Sequence, residues 1–132
     1  MWDWLRQRRP RTDRALGGRG EKLAARHLRK QGYRLLGKNI RTSLGEIDLL
    51  ALAPGRSALV VVEVKTGQGG PLPPEIRVGR AKQRKLAQLA AQIQRRRSLP
   101  NLPIRFDVVG VDLPEGAKPT IRHHVGAFES PF

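Results

Sequence analysis

An α/β fold, with a central mixed sheet of about five strands flanked by helices, is predicted by three features of this sequence. Its hydrophobic patterns run in the order helix, three strands, helix, two strands, which suits one sheet with helices packed on it. Two consecutive strand-like runs, "GEIDLLAL" and "ALVVVEVK", are joined only by "APGRS", so they read as an antiparallel hairpin. With 132 residues the chain can bury one hydrophobic core but not two comfortable ones. Residues 15–132 are therefore read as a single domain.

Taken in order, residues 1–14 hold five Arg and two Asp interrupted by Pro10 and are read as a flexible basic arm. Trp2 and Trp4 in that arm either pack back on the domain or stack on bases. "GGRGEKLAARHLRKQGY" follows as the first helix, with Leu16, Gly20, Leu23, Ala24, His27 and Leu28 at helical spacing and Gly32 as the C-terminal stop. "YRLLGKNI" is the first strand, and the hairpin supplies the second and third. "TGQGGPLPP" is a Gly/Pro loop. A second helix is expected from about Pro74 to Arg97, opened by its proline. "PIRFDVVGVDL" and "PTIRHHVGAF" give the last two strands, separated by the turn "PEGAK".

Composition narrows the function. Lys and Arg number 26 against 11 Asp and Glu, a formal net charge of +15, and 19 of the cations are Arg. Such a surplus on a small domain selects a polyanionic partner, nucleic acid first and an acidic membrane surface second. Arginine suits bidentate phosphate contact. The absence of cysteine excludes disulfides and thiolate metal sites and fits a cytoplasmic setting. No stretch has the apolar length needed to span a bilayer.

The chemistry concentrates in the hairpin. Alternation along "LVVVEVK" puts Leu59, Val61, Glu63 and Lys65 on one face, and along "GEIDLLAL" it puts Ile47, Leu49 and Ala51 on one face with Glu46, Asp48, Leu50 and Leu52 on the other. Counting outward from a turn near residue 55 makes Asp48 and Glu63 cross-strand neighbours, with Lys65 close by. Two adjacent carboxylates repel, and burial adds to the cost. A hard divalent cation, Mg²⁺ or Mn²⁺, relieves this, with the Val64 carbonyl as a third oxygen ligand. The alternative is an ion pair of Lys65 with Asp48 or Glu63 capping a strand end. Lys82 lies four residues before Leu86 on the buried stripe of the second helix, where it either meets an anion at the sheet or snorkels past the helix end. Glu21, at the flank of the first helix's apolar stripe, either adds a third carboxylate or opposes Lys22 and nearby arginines in solvent.

The succession "GGRGE", "GEIDLLAL", "LVVVEVKTG", "RAKQRKL" and "IRFDVVGV" resembles the YraN-like bacterial family from about Gly17 to Phe128. That family in turn resembles the archaeal Holliday junction resolvases and the restriction-endonuclease-like, PD-(D/E)xK, nucleases. The resemblance implies a three-layer restriction-endonuclease-like arrangement, with 15–132 a nuclease-like domain. It implies metal-binding acids at Asp48 and Glu63, a catalytic lysine at Lys65, a helical acid at Glu21 and a helical lysine at Lys82. Arg105, Phe106 and Asp107 match the family's R-F-D block, for which core packing and an ion pair are the default reading. "TGQGG" after Lys65 departs from the pattern, which often has another basic residue there.

The leading reading is a Mg²⁺- or Mn²⁺-dependent endodeoxyribonuclease acting on branched or structured DNA. Arg77, Arg80, Arg84 and Lys85 on the second helix, with Arg26 and Arg29 on the first, would hold flanking phosphates and carry no base code. A non-catalytic nucleic-acid-binding module with a structural acidic cluster is the second reading, and an adaptor for an acidic protein the third. The two-fold symmetry of a junction is compatible with a homodimer.

Overall fold

In a computed structural model, residues 14–95 and 98–131 are described. The arm read over residues 1–14 lies outside them except for Arg14, which opens the first helix. The elements are α1 (Arg14–Lys30), β1 (Arg34–Thr42), β2 (Gly45–Leu52), β3 (Leu59–Gly67), α2 (Arg80–Gln94), β4 (Ile104–Asp112) and β5 (Thr120–Phe128). The strands stand in the order β1-β2-β3-β4-β5. All neighbours are antiparallel except β3 and β4, which run parallel. Parallel neighbours need a crossover, and α2 provides it. The sheet is therefore mixed, as expected.

Each face of the sheet carries one helix. Leu86, Leu89 and Ile93 of α2 pack on Leu50, Leu52, Leu59, Val61 and Phe106. Ala24, Ala25 and Leu28 of α1 pack on Leu49, Val60, Val62, Val64 and Val109. Val60 and Val61 are both buried because the central strand is covered on both sides, which is why its sequence reads as a continuous apolar run. This gives the three layers the sequence predicts.

Two local expectations are corrected. The second helix does not begin at Pro74. Residues Pro74–Arg77 form a separate 3-10 turn, Val78 leaves helical geometry at ψ 78, and extended Gly79 caps α2. A proline does open a helical segment there, but the main chain breaks before α2 starts, so Arg77 is not on α2. Ile47 and Leu49, expected on one face, belong to the two opposite cores, Ile47 on the α2 side and Leu49 on the α1 side. Strict alternation fails between them, at Asp48.

Candidate functional site

The reason for that failure is a fork in the sheet. β2 and β3 pair from Leu52↔Leu59 to Leu49↔Val62, and there their ladder stops. β2 continues beside β1 to Thr42↔Gly45, while β3 continues beside β4 to Gly67↔Asp112. The first residues past the fork are Asp48 and Glu63, which the register continued by one pair sets opposite each other. Asp48 Oδ2 accepts the Val64 amide N–H at 2.8 Å. That amide points toward β2 and meets a carboxylate where a ladder carbonyl would otherwise stand. The N–H and C=O of a strand residue face the same side, so the Val64 carbonyl is turned to the same opening.

Glu63 carries the electrostatic weight of the site. Its side chain is 3% exposed, with Lys82 Nζ 3.3 Å and Lys65 Nζ 3.7 Å from Oε2. Its other oxygen, Oε1, is buried without a hydrogen-bond partner. Asp48 is likewise buried. The structure thus brings Glu63, Lys65 and Lys82 together and bonds Asp48 to the main chain of Val64, the residue after Glu63, and Lys82 turns to the sheet rather than past the helix end. Glu21 is buried on α1, immediately after Gly20. A Cβ on Gly20 would collide with the Thr66 side chain, so the bare glycine lets α1 lie close on β3 just beyond Lys65. Among the described residues no three acidic or histidine side chains form a metal-holding group, so Glu21 does not complete a triad with Asp48 and Glu63. What the fork offers is two carboxylates and a main-chain carbonyl, all hard oxygen donors. A buried carboxylate oxygen with no partner is costly as it stands.

The cationic residues divide between two faces. On α1, Arg26 and Arg29 are exposed and join Arg19 and Lys22 along a groove of 550 Å³ that Leu23 and Pro119 complete. On the opposite face Arg80, Arg84 and Lys85 are exposed on α2. Arg77 stands apart, with Nε donating to the Pro74 carbonyl at 3.1 Å and Nη2 to the Thr66 carbonyl at 3.0 Å. It ties the loop after β3 to the strand end.

Two polar networks reach β4 and β5, and apart from the Arg105–Asp107 pair they escaped the sequence reading. On the α1 side Asp107 is fully engaged. Its oxygens accept Arg105 Nε at 2.9 Å and Nη2 at 2.8 Å, the Gly126 N–H at 2.9 Å, and lie 2.7 Å from His123 Nε2. Arg105 also donates to the Tyr33 hydroxyl at 2.6 Å. Burial pushes the Asp107 carboxyl upward, but the bonds from His123, Arg105 and Gly126 outweigh it and hold its pKa at about 2. The default reading of the R-F-D block holds, with Phe106 in the core and Arg105 paired to Asp107. On the other side Glu75 lies over Gly110, where a Cβ would strike its carboxylate. Arg122 Nε and Nη2 reach Glu75 at 2.7 and 2.9 Å, and His124 Nε2 lies at 2.8 Å. Arg122 also binds Asp112 at 2.8 Å. The Arg122 bonds, chiefly, lower the Glu75 pKa to about 2. The pair of histidines in "RHHV", alternating across β5, was the available signal: each points at a different carboxylate.

Residues 20–111 match the sequence model of the uncharacterised protein family UPF0102. A UPF0102 protein of Pelobacter propionicus is 42% identical over 118 residues, covering 89% of this chain and 84% of its own length. One from Rhodococcus opacus is 43% identical over 115 residues, 86% of this chain and 96% of its own. One from Symbiobacterium thermophilum is 45% identical over 100 residues, 75% of this chain and 83% of its own. Among the described residues no helix is long and apolar enough to cross a membrane.

Proposed function

We propose a function for a chain that belongs to the uncharacterised protein family UPF0102: it is a Mg²⁺- or Mn²⁺-dependent nuclease that binds nucleic acid, branched or structured DNA first, and hydrolyses its phosphodiester bonds. The observation that carries this reading is the fork, where the buried Glu63 keeps one oxygen without a partner opposite Asp48. Asp48, Glu63 and the Val64 carbonyl would hold the cation. When bound, it would supply Lewis acidity toward the scissile phosphate and lower the pKa of water. Lys65 and Lys82 bring ammonium groups to the charge that builds on the phosphate oxygens during attack. Arg26 and Arg29 on one face, and Arg80, Arg84 and Lys85 on the other, supply phosphate contacts without base readout. Two copies acting together would make paired cuts on a symmetric junction.

A second reading has an observation of its own. Lys65 and Lys82 already neutralise Glu63, which is what a structural acidic cluster in a non-catalytic binding module would display. Titrating Mn²⁺ against wild type and Asp48→Ala, with calorimetry and cleavage of branched DNA followed together, separates the two. Uptake and cleavage that disappear together in the variant support the nuclease. Nucleic-acid binding with no Mn²⁺ uptake by wild type supports the module. Either way, neutralising about six phosphates requires log affinity to fall with log salt at a slope near −5.

A further inference from the structure

Glu63 faces two ammonium groups, Lys65 and Lys82, while Asp48 accepts the N–H of the neighbouring Val64. A divalent cation added beside Glu63 brings more positive charge to a carboxylate that already holds two ammonium groups, unless an ammonium moves away or an anion arrives. Oε2 of Glu63 is shared by both lysines while Oε1 has no partner, so an incoming cation would find one free oxygen and one already taken. The two lysines are held differently. Lys65 stands two residues along the same strand, its Nζ 3.7 Å from Glu63 and its side chain 27% exposed. Lys82 reaches across from the first turn of α2, a separate element, and its side chain is 37% exposed.

Building on the metal-dependent reading above, we propose that Lys82 is an exchangeable counter-cation: it occupies Glu63 in the free protein and is released to a nucleic-acid phosphate when a divalent cation takes its place. Two features of Glu63 point to a ligand independently of the acidic pair. It is buried with an unsatisfied oxygen, and its nearest cation comes from a half-exposed side chain with solvent to move into. The exchange keeps charge in step. Cation entry frees one ammonium, and that ammonium meets the anion the cation also attracts. Metal and phosphate then bind cooperatively through a single side chain, and the coupling is reciprocal.

The test uses the full chain and Mn²⁺ alone, by calorimetry, in wild type, Lys82→Met and Lys82→Arg, each checked for native circular dichroism. Removing the competitor should tighten Mn²⁺ binding roughly five- to tenfold in Lys82→Met, within the usual range of coupling between sites. Lys82→Arg keeps the charge and should bind no tighter than wild type. A second measurement compares affinity for a short DNA duplex with and without Mg²⁺ at constant ionic strength. The enhancement by Mg²⁺ should be larger in wild type than in Lys82→Met. Equal Mn²⁺ affinity in wild type and Lys82→Met overturns the exchange and leaves the metal site standing, as does equal tightening in both variants. No Mn²⁺ uptake by any of the three overturns the metal site and the exchange with it.

Discussion

Removing Glu63 and removing Lys82 break the same ion pair, yet the structure gives the two changes different consequences for metal-free stability. At 3.3 Å the Lys82–Glu63 attraction amounts to about 5 kcal/mol at an effective dielectric of ~20. Lys82 is 37% exposed, so solvent screens that attraction, and the net worth of the pair falls to about 1–3 kcal/mol. Lys82→Met forfeits this and leaves a carboxylate that is only 3% exposed with Lys65 alone as counter-ion. It should cost about 1–3 kcal/mol, the scale set by an undercompensated buried charge. Glu63→Gln instead removes the buried charge and the desolvation it carries, while the two lysines it leaves behind can turn to water. Its cost should stay under about 1 kcal/mol, or become a gain, because deleting the desolvated member relieves the larger penalty. Urea unfolding of both variants in EDTA, with a shared m-value, decides the matter. Glu63→Gln costing more than Lys82→Met would refute the view that the carboxylate is held here against its own stability.

Three further outcomes follow from the same geometry. Asp48→Asn can still offer an oxygen to the Val64 N–H, and it removes a like charge from beside Glu63, so metal-free stability should be unchanged or raised while Mn²⁺ affinity falls; clear destabilisation in EDTA would mark Asp48 as a structural ion-pair partner. Asp107 and Glu75 both have pKa values depressed to about 2, so the stability they contribute is complete above their unfolded values near 4 and is lost as pH drops toward 2. For Asp107 that is about 2 kcal/mol, so the urea midpoint should fall less across this window in Asp107→Asn, where Glu75 still contributes, and the variant should be less stable above the window. Gly20→Ala should destabilise by about 2 kcal/mol or more by forcing α1 away from Thr66, and Thr66→Gly should recover part of the loss in a double-mutant cycle.

Much of the fold lies in local patterns and was readable. The short turn between β2 and β3 left antiparallel pairing as the natural arrangement, and counting outward from it reproduces the register that ends at Leu49↔Val62, one pair before Asp48 and Glu63. The same arithmetic could not see the fork, because alternation assumes a strand that keeps its partner. Once β2 leaves β3, the backbone at Asp48 is free to turn, and Ile47 passes to the opposite core from Leu49. Lys82 was ambiguous for a related reason. Helical spacing gives the side of the helix a lysine occupies, whereas its direction depends on an anion supplied by another element. The Arg105–Asp107 pair lies within one strand and was readable, whereas the bonds to Tyr33, His123 and Glu75 join residues 16 to 72 positions apart, so no local window contains both ends.

The fork also explains why chemistry would collect at this point of the sheet. A paired strand consumes its main-chain hydrogen bonds in the ladder, and its side chains are claimed by whichever core lies on their face. Where two neighbours diverge, both claims lapse over a few residues. Val64 keeps an amide and a carbonyl turned to the gap, and Asp48 and Glu63 fall beyond the last paired position. The helices then close the gap from both sides, α2 delivering Lys82 and α1 fitting closely through Gly20. Glu63 is thus buried by the layers with one oxygen left unused by the sheet. On the metal-dependent reading proposed above, that combination would be relieved when a hard cation binds. A variant that extended the β2–β3 ladder past Leu49 and Val62 should therefore gain stability and lose Mn²⁺ binding together.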